Sequence, residues 1–184
     1  MRNLVLDTIM KRRSTRSYKE EQLKEDDLQA ILDAGIQAPS ANNCQSWHFT
    51  VIQNKEFIQY MNEKSKEIMI NSEDKRISDA GKGNVNLFYD APTLIIVSGN
   101  EDEISAKVDC SAAIENMLLA GESLEIGGVW IGMLRFFISD NKEVRKLNIP
   151  NGFRPFYAVA LGYKKHDAIS GPGKRNKDVL NYIR

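Results

Sequence analysis

The sequence predicts a single α+β domain or an α/β sandwich, and three observations carry that expectation. Apolar residues at helical spacing recur over 3–11, 26–36 and about 103–125. Short β-rich apolar runs alternate with them at about 47–53, 93–97 and 154–161, and helices outnumber strands. A chain of 184 residues with 42% hydrophobic content is long enough for one sizeable core. Basic and acidic residues balance at 25 each. No overall field therefore draws the chain to nucleic acid or an anionic membrane, and any basic site must be local. No apolar run approaches the roughly 18 residues of a membrane-spanning helix. Met1–Arg13 lacks the apolar centre of a signal peptide. Two cysteines, Cys44 and Cys110, make no disulfide framework and point to a reducing compartment. The expected location is the cytoplasm.

The elements follow in order. Leu4, Val5, Ile9 and Met10 predict a first helix over 3–11, ended by the cation-rich run 11–17. Asp26 and Asp27 suit the positive end of a second helix, whose stripe is Leu28, Ile31, Leu32 and Ile36 and whose stop is Pro39. A polar loop, 38–47, leads into a strand at about 47–53, and a charged helix follows over 55–71. Residues 72–86, polar and holding Gly81 and Gly83, read as a mobile connection. Ala91-Pro92 precedes the strand Thr93–Val97. The helix of about 103–125 is apolar nearly all round at 112–120, which predicts burial in a core or against a partner chain. Gly127-Gly128 is expected to end it. A short strand at 129–131, a short helix at 140–147 and a strand over 154–161 complete the body, and a long polar tail carries Gly171–Arg175.

Candidate chemistry is concentrated in few places. Arg12, Arg13, Ser14 and Arg16 place three guanidiniums and a hydroxyl within five residues, a set suited to a phosphate. The same cations would equally complement the C-terminal dipole of the first helix. Lys174 and Arg175 are equally ambiguous, suited to a phosphate or simply part of a solvated basic tail. The spacing of a phosphate-binding Gly-x-x-x-x-Gly-Lys-Ser/Thr loop is missing, as is Gly-x-Gly-x-x-Gly after a strand. His48 and His166 lie far apart with no acidic or cysteine cluster around them, so no metal site is expected. A Cys44–His48 nucleophile is disfavoured because an apolar strand follows His48 directly. Phosphate-binding groups, an amide-rich loop and a glycine turn with few catalytic side chains suit a protein whose chemistry belongs to a bound cofactor.

These residues resemble a known family. Arg12-Arg13-Ser14-Thr15-Arg16-Ser17-Tyr18 is similar to the N-terminal arginine–serine signature of the nitroreductase family of FMN flavoproteins. Ala38-Pro39-Ser40-Ala41-Asn42-Asn43-Cys44-Gln45-Ser46-Trp47 resembles its second signature, Ala91-Pro92 a third, and Gly127–Gly132 its glycine-rich turn. Gly162-Tyr163 and Lys174-Arg175 match the closing segment, so the resemblance spans nearly the whole chain.

The resemblance implies a central mixed β-sheet flanked by helices and an intertwined homodimer with FMN at the subunit interface. It implies that Arg12, Arg13, Ser14 and Arg16 hold the FMN phosphate, with Lys174 or Arg175 closing over it. Pro39, Ser40, Ala41 and Asn42, assisted by Gln45, would approach the isoalloxazine from the other subunit. Gly132 and Met133 would approach the ring as well, and Asn84 or Asn86 is a weaker candidate for its pyrimidine edge. The implied activity is NAD(P)H oxidation with electrons passed by a ping-pong route to nitroaromatics, quinones or similar electron-poor acceptors. A flavin-binding protein without turnover, a cofactor store or redox-responsive regulator, would use the same phosphate groups. Two departures stand out. Ser46 occupies a position that is often proline in the family, and the chain is too short for the lid of dehalogenating relatives, which argues against that chemistry.

Overall fold

The computed structural model describes residues 3–166 and 173–184. Helix α1 (Leu4–Lys11) starts where the Asn3 carboxamide oxygen accepts the Val5 and Leu6 N–H groups at 3.1 and 3.2 Å. Helix α2 (Glu25–Ile36) has no side-chain cap and instead sets Glu25, Asp26 and Asp27 at its positive end. It buries Leu28 and Ile31, whereas Ile36, expected on the same stripe, is exposed. Strand β1 (Trp47–Ile52) follows, then α3 (Lys55–Ile70), capped by Asn54 accepting from Phe57 N at 2.8 Å.

The expected mobile connection at 72–86 contains a helix, α4 (Lys75–Lys82). Asp74 caps it through the Arg76 N–H, and the Ser78 hydroxyl donates to the Ile70 carbonyl at 2.8 Å, tying it to α3. Its sequence has almost no apolar stripe to announce it, so contacts to α3 rather than periodicity hold it.

Strand β2 (Thr93–Asn100), helix α5 (Ala106–Ser123), strand β3 (Ile126–Ile131), the short helices α6 (Leu134–Phe137) and α7 (Asn141–Arg145), and strand β4 (Phe153–Tyr163) complete the chain. Gly127 and Gly128 do not end α5 but lie inside β3, and the reversal before them uses Glu125 at φ 60°.

The sheet order is β1-β2-β4-β3, and all three pairings are antiparallel. The parallel component of the expected mixed sheet is confined, among the described residues, to an isolated bridge between Ser14 and Gly128. Side chains alternate across β2. Leu94 and Ile96 join the core formed with Ile58 and Met61 of α3 and with Phe88 and Phe137. Ile95 and Val97 join Leu28 and Ile31 of α2 and Cys110, Ile114 and Met117 of α5. Both faces are thus covered, which explains the unbroken apolar run at 93–97. Each such side chain contributes about 2 kcal/mol of transfer free energy. Among the described residues no helix is long and apolar enough to cross a membrane.

Candidate functional site

The basic segment 12–16 runs along the free edge of β3. Thr15 N donates to the Gly128 carbonyl at 3.1 Å, beside the Ser14–Gly128 bridge. The approach is close enough to require glycine: a Cβ on Gly127 would lie 2.6–2.7 Å from three side-chain atoms of Thr15. The glycine pair read as a turn is therefore the bed on which the arginine segment rests. Arg13 Nη1 donates to the carbonyls of Met10 and Arg12 at 2.8 and 2.7 Å, closing the end of α1. Arg12 is half-buried, its guanidinium 3.9 Å from the Glu115 carboxylate. The Tyr18 hydroxyl donates to the Thr15 carbonyl at 2.6 Å; burial pushes its pKa up, and the charge of Arg16 opposes this only partly. It serves as a hydrogen-bond donor that fixes the segment.

Arg16 lies with its guanidinium carbon 5.6 Å from the centre of the Tyr89 ring, and its Nε donates to the Tyr89 hydroxyl at 3.3 Å. Tyr89, which the sequence did not single out, therefore orients one of the candidate phosphate ligands. Both border a groove of about 700 Å³ that Lys55, Gln59, Asn86 and Lys165 also line. Asn86 is committed to the fold, donating to Asp90 at 2.8 Å and accepting from Phe88 N at 2.8 Å. Asn84 is exposed.

The loop 38–46 sits at the opposite edge, leading into β1. It turns through a short 3-10 segment, Ala41–Asn43, with Asn42, Asn43 and Gln45 all at positive φ of 51°, 57° and 46°. Asparagine tolerates this region; glutamine does so at a cost of about 1 kcal/mol or more. The Ser40 hydroxyl oxygen accepts the Gln45 N–H at 3.0 Å, so its proton remains available to a ligand. The loop is tied to the body by Asp109 of α5. One carboxylate oxygen accepts from Ala41 N at 3.3 Å and the other from the Ser46 hydroxyl at 2.7 Å. Ser46, the departure from the family pattern, is 2% exposed and is this buried anchor. Ala41, Asn42 and Gln45 face outward, as does Pro39.

Gly132 follows β3 directly and is exposed beside Met133, at 38%. A Cβ there would meet nothing within 4 Å, and its φ does not demand glycine. Its lack of a side chain answers no requirement of this chain's packing, which fits a surface left clear for a planar ligand. Lys174 and Arg175 are exposed in the tail, and among the described residues no hydrogen bond or ion pair joins them to the 12–16 segment. The rest of the glycine-proline tail motif, Gly171-Pro172, lies outside the described residues.

Within one chain, then, the basic segment lies beside β3 and the loop beside β1. Three interstrand spacings, about 14 Å, separate those edges.

Cys44 is exposed, yet desolvation and then the neighbouring Glu103 carboxylate raise its pKa, and its hydrogen-bond partner is Glu103. The His48 ring packs against Phe153 at 5.7 Å. Cys110 is buried, and its thiol is pushed up to about 12 by desolvation with a further contribution from Asp109. Raised pKa values mean less thiolate at neutral pH. Under native conditions at pH 7, one thiol per chain should react with Ellman's reagent, more slowly than free cysteine, and the second only after denaturation. Rapid reaction of Cys44 would show an activated thiolate and contradict this reading.

A model of the nitroreductase family matches residues 9–163. The chain is similar to a nitroreductase from Bacteroides fragilis whose crystal structure has FMN bound: 36% identity, a TM-score of 0.91, and full coverage of both chains. It is 33% identical over 180 residues to a protein of Methanothermobacter thermautotrophicus named "Putative NADH dehydrogenase/NAD(P)H nitroreductase", covering 94% of this chain and 81% of that one. It is also 24% identical over 188 residues to an iodotyrosine deiodinase of Thermotoga neapolitana, covering 97% of each. That deiodinase is of similar length, so a short chain does not by itself argue against dehalogenation. By sequence and fold, this chain belongs to the nitroreductase family.

Proposed function

We propose that two copies of this chain form a homodimer that holds FMN at its interface and acts as an NAD(P)H oxidoreductase toward nitroaromatic, quinone or similar electron-poor acceptors. The observation that carries this reading is the placement of the candidate residues on opposite edges of the sheet. A two-fold partner can bring the loop of one chain to the basic segment of the other. Unpartnered apolar groups support the dimer. Leu4 is 78% exposed and Met10 66%, with Val5 and Leu6 exposed between them. Leu180 and Ile183 of the tail are exposed in the same way. Half-buried Leu119 and Ala120 of α5 line a shallow hollow together with Val5 of α1.

The residues fit FMN. Arg12, Arg13, Ser14 and Arg16 would hold its phosphate, with Lys174 or Arg175 of the tail closing over it. Ser40, Ala41 and Asn42, with Pro39 and Gln45, would face the ring from the partner, and Gly132 and Met133 from the same chain. Bound FMN supplies the chemistry of accepting and returning a hydride. The protein contributes fixed cations at the phosphate and N–H donors around the ring. NAD(P)H and acceptor would occupy one position in turn, so no second nucleotide motif is needed.

Light scattering of the purified protein should give twice the chain mass, with one FMN per chain released on heating. With NADH or NADPH against a nitroaromatic, a quinone and a halogenated tyrosine, double-reciprocal plots should be parallel for the accepted substrates. A monomer holding one FMN per chain would contradict the shared site, and intersecting plots the ping-pong order.

A further inference from the structure

We infer that Asp109 is a positioning residue for the flavin-facing loop, a buried carboxylate that ties both ends of residues 41–46 to α5 and so fixes where Ser40, Ala41 and Asn42 stand. The inference rests on the FMN reading above and extends it to a residue that does not touch the cofactor.

The loop has bonds of two kinds. Asn43 N to the Ser40 carbonyl, Cys44 N to the Ala41 carbonyl and Gln45 N to the Ser40 hydroxyl lie within it and hold its shape. They do not fix where that shape sits. Position comes from Asn100 N, which donates to the Ser46 carbonyl at 2.8 Å, from the Cys44 contact with Glu103 near the middle of the loop, and from Asp109. Among the described residues only Asp109 reaches both ends, the Ala41 N–H at 3.3 Å and the Ser46 hydroxyl at 2.7 Å. Three consecutive-turn residues at positive φ make the loop conformation costly, and such conformations persist only where the surroundings over-determine them. Asp109 is 4% exposed, in the first turn of α5, where the helix dipole favours a negative charge. Its remaining bond is to the Ser105 hydroxyl at 3.1 Å, which leads to no loop atom. A buried charge accepting three hydrogen bonds, two of them from the loop, sets the loop by charge-assisted bonds rather than by packing.

The test uses the full-length dimer and the variants Asp109→Asn, Ser46→Ala and Ser105→Ala. FMN affinity is read by quenching of flavin fluorescence, the ring environment by the visible absorbance maxima, and the anchor by hydrogen exchange of 38–47 in FMN-free protein. Asp109→Asn should weaken FMN binding about tenfold and shift the maxima, because one charge-assisted bond is lost at the loop. Ser46→Ala should do the same about threefold. Both should speed exchange at 41–46, while Ser105→Ala leaves affinity and spectrum at wild-type values. If Asp109→Asn does not fold, Ser46→Ala decides by the same readings. Folded variants with affinity within twofold of wild type, unshifted maxima and unchanged exchange overturn the assignment alone. A wild-type protein that binds no FMN overturns the flavin reading, and the assignment with it.

Discussion

Reversing Arg12 and Arg16 to glutamate should abolish FMN retention while the chain stays folded. Each reversal replaces a cation by an anion beside a phosphate. At about 5 Å and an effective dielectric constant near 20, one charge interaction is worth about 3 kcal/mol, and each reversal changes it by twice that before screening. Lost charge-assisted hydrogen bonds add about 1.5–3 kcal/mol each. Affinity should therefore fall by more than about a thousandfold even after generous discounting for solvent. Folding loses little. The Arg12–Glu115 approach is long at 3.9 Å and partly exposed, worth under about 1 kcal/mol. The Arg16 contact with Tyr89 is worth about 0.5–1 kcal/mol. Visible absorbance of the purified variant, with its melting temperature as control, checks the result. Retained yellow colour would sink the phosphate assignment.

Substituting alanine for Gly127 should produce the second large effect, through the fold rather than through charge. The new Cβ would stand 2.6–2.7 Å from the Thr15 side chain, closer than real Cβ contacts come. The 14–16 segment must lift from β3, stretching the Thr15–Gly128 hydrogen bond. Overpacking of this kind costs about 1–3 kcal/mol. For a chain of this size that lowers the melting temperature by roughly 2–10 °C. FMN affinity should fall with it, because the arginines move with their backbone. A companion Thr15→Gly change should restore stability, whereas Thr15→Ala should not, since the Thr15 Cβ is itself 2.7 Å away. Gly132→Ala makes the contrast: with open space around it, it should leave the melting temperature unmoved and weaken FMN binding alone. Equal melting temperatures for wild type and Gly127→Ala would show that the close approach does not matter.

Much of this was legible in the residues. Helices with an apolar stripe and strands with apolar runs announce themselves through periodicity, and α1, α2, α3, α5 and the strands lie close to where spacing puts them. Helix α4 did not, because its stability comes from a cap at Asp74 and a bond from Ser78 to α3 rather than from its own pattern. Gly127-Gly128 suggested a turn because glycine is read locally, whereas Gly127 makes room for Thr15, more than a hundred residues away, and Gly128 for Leu118 and Leu161. The same limit hid Tyr89 and Asp109. An acid in the first turn of a helix looks like dipole compensation until Ser46 and Ala41 are seen to bind it. Ser46 reads as a departure from a pattern in the sequence and as an anchor in the structure.

Electron transfer at a bound flavin is the central proposal for this chain. Anaerobic titration of the purified, FMN-loaded protein with NADH and then NADPH tests it most directly. One or both nucleotides should bleach the visible absorbance, and a nitroaromatic or a quinone should restore it. A yellow protein whose spectrum neither nucleotide moves would contradict it, and would mark the chain as a flavin-binding protein without turnover.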